Sequence, residues 1–293
     1  VSGDEDELEA SRAPLLDHLT ELRTRLIWSV VAFAASFILC FAFANQILIF
    51  LLHPFEIAGA LMAAQKAGGG HAGPFDLLLA LTGFKEVVAV GPPLSMVSTG
   101  PLETFFTKMK IAGFGAIVVS FPVVAFQLYR FVAPGLYRRE KSAFLPFLLA
   151  APVLFVLGGA LVYYLMLPFV LWFSLSQQIL GGNVEVTLLP KVSEYMTLVT
   201  QLLLAFGLCF QLPVVLSLLG LAGLISSETL VKGRRYAIVA IVFVAAIVTP
   251  PDPISQIMLS VPIYLLYEVS IWCVRLMELR RKRADATELA TTG

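Results

Sequence analysis

Apolar residues run through this chain in long stretches broken by short polar ones. Ahead of the first stretch, Ser11 to Arg25 carries Leu15, Leu19 and Leu22, continued by Leu26, at helical spacing. That pattern predicts an amphipathic helix lying along a membrane interface and leading into a span. Spans are predicted at Leu26–Leu52, Ile111–Phe131, Phe144–Trp172, Tyr195–Leu219, Tyr236–Val248 and Ile254–Leu276, against a requirement of about 20 apolar residues per crossing. At ~1.5 Å per residue the fifth run reaches only about two thirds of a ~30 Å hydrocarbon core. It therefore crosses a thinned bilayer or is not lipid-facing throughout. The expected fold is all-α and integral to the membrane, with six transmembrane helices, of which the last two are short.

Prolines and glycines punctuate the runs. His53-Pro54 is expected to stop the first span, Pro122 to kink the second, and Thr249-Pro250-Pro251-Asp252-Pro253 to form a rigid turn before the last. Gln211, next to Pro213, interrupts the fourth. Residues 55–106 hold only short apolar pieces, Ile57–Ala64 and Leu77–Leu81, around Gly68-Gly69-Gly70. They read as an extramembrane cap with one or two short helices. The domain plan is an acidic flexible N-terminus at 1–10, one six-helix domain at 11–280, and a basic-to-polar tail at 281–293 that reads as disordered. No internal repeat is visible, which argues against an inverted-repeat transporter.

Composition agrees with the pattern. The chain is 58% hydrophobic and 14% charged, with mean hydropathy +0.87, far below the roughly 25% charge of soluble domains. Net charge is zero, so nothing points to nucleic acid, and only the distribution of charge is informative. With six crossings both termini share a side. All twelve arginines then fall with the termini or the loops after spans two and four, while Lys66, Lys85, Lys108, Lys110 and Lys191 fall opposite. The positive-inside rule makes the termini cytoplasmic. The acidic N-terminus shows no cleavage pattern, so the first run reads as a retained span. Cys40, Cys209 and Cys273 sit inside apolar runs and His53, His18 and His71 are scattered, so no disulfide framework, metal site or cofactor is expected.

Candidate chemistry concentrates in few places. Glu140 stands among Arg138, Arg139 and Lys141 in a cytoplasmic loop approached by Phe131 and Pro134. It either neutralises its neighbours, for about 0–1 kcal/mol, or binds a ligand. The second reading gains weight from Glu21 and Arg23 on the other cytoplasmic element that leads into a span. Two carboxylates facing one surface suit a ligand with two guanidinium groups, since each can accept a bidentate arginine. Gln211, at mid-span depth, needs a partner, either a neighbouring helix or a site. Glu268 in the sixth run is protonated, paired, or snorkelling to the interface. No catalytic set of side chains is present. A solute transporter with a midplane site at Gln211 and Glu268 is the alternative reading.

Five stretches carry a resemblance to a known family. They are Pro14 to Arg25 (PLLDHLTELRTR), Pro101-x-Glu103-x-Phe105 with Lys110, Phe131 to Glu140 (FVAPGLYRRE), Phe206-Gly207 with Gln211-Leu212-Pro213, and Thr249 to Gln256 (TPPDPISQ). Together, in order over roughly residues 11–280, they resemble the TatC subunit of the twin-arginine protein translocase. The resemblance implies six helices in a curved, glove-like receptor that recognises paired-arginine signal peptides of folded cargo in a bacterial-type inner membrane. It also implies partner single-span TatA- and TatB-type subunits, a homo-oligomer within that hetero-oligomeric complex, and use of the proton-motive force without enzymatic activity. By position, Glu21, Arg23, Phe131, Pro134 and Glu140 match the signal-peptide segments, and Gln211 replaces a position that is often Glu in the family. Glu103, Asp252 and Gln256 match the outer face, and Pro54 the end of the first span. The first outer loop, from about Ala58 to Pro92, looks longer than is usual there.

Overall fold

A computed structural model describes residues 2–66, 74–84, 96–98, 100–132, 141–176, 190–248 and 253–292. Among them the regular structure is helical: α1 (Ser2–Ala42), α2 (Ala44–Lys66), α3 (Pro74–Leu81), α4 (Glu103–Val132), α5 (Lys141–Leu161), α6 (Leu167–Ser176), α7 (Val192–Cys209), α8 (Leu212–Leu221), α9 (Ser227–Val248) and α10 (Pro253–Thr292). Among the described residues six segments are long and apolar enough to cross a membrane: Thr20–Ala42, Ala44–Leu61, Glu103–Leu128, Phe147–Ser174, Val192–Leu221 and Gln256–Arg280. The number matches the expectation, but the membership differs. Ala44–Leu61 joins the set, and the expected fifth span, Tyr236–Val248, does not, because α9 carries Lys232, Arg234 and Arg235 in its first half and little apolar length beyond them.

The first helix corrects the sequence reading. Proline does not end it, because α2 runs through Pro54, whose ring is almost fully buried. The backbone ladder also continues over Phe43, with Phe43 N–H to Leu39 O at 3.2 Å and Ile47 N–H to Phe43 O at 3.1 Å. The two helices are thus successive parts of one rod. Proline has no N–H for the carbonyl four residues back, and its ring pushes that carbonyl aside. Here that carbonyl is Phe50 O, and the Tyr163 hydroxyl donates to it at 2.9 Å. One residue on, the Tyr195 hydroxyl donates to Leu51 O at 3.0 Å. Tyr163 stacks on Phe50 at 4.6 Å and Tyr195 packs against Phe55 at 5.4 Å. Tyr163 therefore supplies the donor that proline removes, and Tyr195 adds a bond to the next carbonyl.

The third span is continuous only through a wide turn. Val162–Met166 is a π segment between α5 and α6, closed by Leu167 N–H to Val162 O, and it lies just ahead of Pro168, which cannot donate to a straight α ladder. The fourth span does break where expected. Gln211 N–H bonds Leu208 O at 3.0 Å, tightening the chain between α7 and α8, and Pro213 sits in the first turn of α8. At the two ends of the chain, α1 begins at Ser2 and α10 continues to Thr292. The first stretch carries Glu5, Glu7, Leu8, Glu9 and Ala10 and the last Ala284, Ala286, Glu288, Leu289 and Ala290, all strong helix formers.

Packing follows from small residues at crossings. Gly158 and Gly207 make a reciprocal contact between α5 and α7: a Cβ on Gly158 would lie 2.8 Å from Phe206 O, and one on Gly207 would lie 2.7 Å from the Phe155 ring. Ile111, Val162, Leu167, Met196, Val199, Leu202 and Phe206 form the interior around that crossing. By contrast Leu26, Ile38, Val239, Phe243 and Trp272 face outward, as expected of a surface solvated by acyl chains rather than water.

Candidate functional site

Helices α1 and α4 pack along their lengths in opposite directions. At one end Phe41 meets Phe105 with ring centroids 6.3 Å apart; at the other, Thr20, Glu21, Thr24, Arg25 and Trp28 face Gln127 and Arg130 across a cleft of about 480 Å³. The residues of α1 share that face because steps of three, four and seven keep side chains on one side of a helix. Gln127 and Arg130, three apart, do the same on α4.

Glu21 is held there by its own helix. Arg25 Nε donates to Glu21 Oε1 at 3.1 Å, and Nη2 donates to the same oxygen. Arg25 is the more buried of the two, with 16% of its side chain exposed against 35% for Glu21. Arg130 lies over the Phe126 ring at 5.5 Å. The cleft thus presents one carboxylate, two guanidinium groups, two threonine hydroxyls, an amide and an indole.

Arg23 was expected to act beside Glu21, yet it is exposed and does not line the cleft. Two residues along a helix turn the side chain by about 200°, and Arg25, one turn on, takes the place. Phe131 is half-buried in the last turn of α4, next to Arg130. Pro134, Glu140 and Asp252 lie outside the described residues. Arg25, Trp28, Gln127 and Arg130 were missed by sequence reasoning. Their signal was spacing: Arg25 and Trp28 stand four and seven residues after Glu21.

The polar residues within the spans have internal partners. Gln211 Nε2 donates to Ala151 O of α5 at 2.9 Å and to Gly207 O at 3.5 Å. Gly207 O is the acceptor left over when Gln211 N–H turns to Leu208. The residue therefore ties the break in the fourth span to α5. Glu268 is paired: Arg234 Nη2 of α9 lies 2.8 Å from Oε2, and the Tyr264 hydroxyl donates to Oε1 at 2.8 Å. Tyr267 adds a bond from its hydroxyl to Leu230 O at 2.7 Å. Gln211 and Glu268 thus engage different helices.

At the opposite end of the bundle Glu103 joins three segments. It accepts from the Ser193 hydroxyl at the start of α7, from Gly100 N–H at 3.2 Å and from the Ser98 hydroxyl at 3.4 Å. A backbone bridge between Val97 and Lys191 runs beside it, with Val97 N–H to Pro190 O at 3.2 Å. Gln256 Nε2 donates to Val242 O at 3.1 Å, tying the start of α10 to α9. Pro54, expected to mark a helix end, is instead the buried position bridged by Tyr163 and Tyr195.

Residues 17–262 match the family model described as Sec-independent protein translocase protein (TatC). A protein of that name from Magnetococcus marinus is 40% identical over 279 residues, covering 95% of this chain and 90% of the relative. Another, from Aquifex aeolicus, is 32% identical over 271 residues, covering 92% and 98%. Among solved structures, a crystal structure of the twin arginine translocase receptor TatC superposes with a TM-score of 0.67 at 32% identity, covering 88% of this chain and 98% of that one.

Proposed function

The chain belongs to the TatC family, and from that premise we propose that it is the signal-peptide receptor and core scaffold of a twin-arginine translocase. It sits in the inner membrane with both termini cytoplasmic. Counting the α1–α2 rod as one crossing and α9 as a short one gives six crossings and places both ends on one side. The subunit hydrolyses nothing itself; the proton-motive force drives export of the folded cargo. The observation that carries the reading is the cleft that seats Glu21 against the last turns of α4. Arg130 of the last turn of α4 lines that cleft, and Phe131 follows it in the same turn.

The chemistry is charge-assisted recognition of two guanidinium groups. Glu21 already accepts from Arg25, but a carboxylate has about four lone-pair sites. One peptide arginine binds Glu21 by sharing or displacing Arg25, and the other binds Glu140. Arg23, exposed on α1, and Phe131 contact the flanking peptide residues. The apolar part of the peptide follows the bundle toward Gln211. Single-span TatA- and TatB-type subunits dock around Gln211, α9 and α10, with Glu268 steadying that pair of helices. Pro54, Glu103, Asp252 and Gln256 set the outer face. A solute transporter is less well supported, because Gln211 and Glu268 are each committed to a neighbouring helix.

The test uses the full chain in detergent micelles with a fluorescent twin-arginine peptide and a photocrosslinker at Gln127. The wild type crosslinks the peptide, a lysine-lysine peptide competes poorly, and Glu21→Ala or Glu140→Ala weakens binding about tenfold, the loss of one charge-assisted pair. Wild-type affinity in both variants would remove the proposed site.

A further inference from the structure

We propose that the cleft between α4, α7 and the end of α9 binds a membrane phospholipid, with Lys110 on its phosphate, in the leaflet opposite the Glu21 cleft. The inference does not rest on the signal-peptide reading. The cavity has a volume of about 430 Å³ and is lined by Lys110, Glu194, Thr197, Gln201, Leu198 and Ile247, among others. Glu194, Thr197 and Gln201 share a face of α7 by their spacing.

Depth makes these residues unusual. Lys110 stands seven residues beyond Glu103, about 10 Å into its helix, and Gln201 stands nine beyond Val192, about 14 Å in. Both helices are apolar enough to cross a membrane, and both side chains are exposed. An ammonium and an amide on the outer face of helices that cross a membrane are costly wherever they meet hydrocarbon, unless a polar ligand or water meets them. The protein meets the need only in part. Lys110 Nζ donates to Thr197 Oγ1 at 3.1 Å, while the Thr197 hydroxyl itself donates to Ser193 O at 2.6 Å. An ammonium has three donors, and a neutral hydroxyl leaves its charge uncompensated. Among the described residues no carboxylate pairs with Lys110, and Glu194 at the rim is paired with Lys191 at 3.6 Å.

The lining suits an amphiphile that carries a phosphate. Glu194 stands at the rim, Lys110, Thr197 and Leu198 follow, Gln201 lies one turn further in, and Ile247 closes the cleft from the end of α9. A diacyl phospholipid presents phosphate, then ester carbonyls, then acyl chains. Lys110 takes the phosphate by extending its stem toward the surface, Gln201 donates to an ester carbonyl, and an acyl chain lies on Leu198 and Ile247.

The test is native mass spectrometry of the full chain in dodecyl maltoside supplemented with palmitoyl-oleoyl phosphatidylglycerol, with phosphatidylcholine in parallel. The wild type retains phosphatidylglycerol in preference to phosphatidylcholine. Lys110→Ala lowers that retention about tenfold, the effect of one charge-assisted contact; Lys110→Arg restores it, and Gln201→Leu lowers it less. Millimolar inorganic phosphate leaves the lipid bound. Each variant should keep wild-type thermal stability and twin-arginine peptide affinity, which separates this test from that of the Glu21 cleft. Wild-type retention by Lys110→Ala, or displacement of the lipid by inorganic phosphate, overturns the proposal.

Discussion

The bridging of Pro54 by tyrosine hydroxyls leads to a prediction with an internal control. Tyr163→Phe removes the donor to Phe50 O and leaves the ring stacked on Phe50. No packing volume is lost, so the cost is that of a carbonyl deprived of its partner, about 1–3 kcal/mol. Pro54→Ala gives residue 54 an N–H one helical turn after Phe50, which is the donor an α ladder would supply. In that background Phe50 O keeps a partner when Tyr163 is truncated. The Tyr163→Phe cost should then fall by about 1 kcal/mol or more, a coupling within the range for residues in direct contact. Tyr195→Phe is the control. It deprives Leu51 O, whose helical donor is the N–H of Phe55, and Pro54→Ala does not change that group. Its cost should be the same in both backgrounds. Equilibrium unfolding in mixed micelles titrated with dodecyl sulfate, followed by circular dichroism, gives the four free energies of each cycle. Equal Tyr163→Phe costs with and without Pro54 would show that the hydroxyl does not compensate for the proline.

Gly207→Ala places a methyl 2.7 Å from the Phe155 ring, and overpacking of this kind costs about 1–3 kcal/mol; the same unfolding titration reads it, and Phe155→Leu should recover part of the loss. Gln211→Leu deprives Ala151 O and Gly207 O of their side-chain donor and should destabilise by about 1–2 kcal/mol, whereas Gln211→Asn, one methylene shorter, should not rescue it. Glu268→Met leaves the Arg234 guanidinium without its carboxylate, so the Arg234→Met/Glu268→Met double variant should be more stable than Glu268→Met alone, as measured by melting in micelles. Glu103→Ala releases Ser193, Gly100 N–H and Ser98 together, and hydrogen exchange at Val97 and Val192, whose backbones bridge beside it, should speed up with little change in the interior of α7.

What the sequence revealed divides along the range of the forces involved. Apolar runs are a local signal, and crossing length follows directly from rise per residue, so most spans and the break at Gln211 were legible. The outcome at Pro54 was not legible, because the hydroxyl that answers Phe50 O belongs to a residue 113 positions from Phe50. Arg23 was favoured over Arg25 by adjacency in sequence, although helical geometry favours the residue one turn on. The sequence leaves Gln211 needing a neighbouring helix or a site, and Glu268 protonated, paired or snorkelling; each is bonded to a partner on another helix, 60 residues away for Gln211 and 34 for Glu268. A polar residue in a span is therefore a poor sign of a site until its partners are known. The more discriminating sign is polar demand left over after the internal bonds are made. Lys110 meets that test among the described residues, since its charge is answered only by a hydroxyl. The Glu21 cleft gathers a carboxylate with the Arg25 and Arg130 guanidinium groups. The two lie at opposite ends of α4, so substitutions at them should affect binding independently.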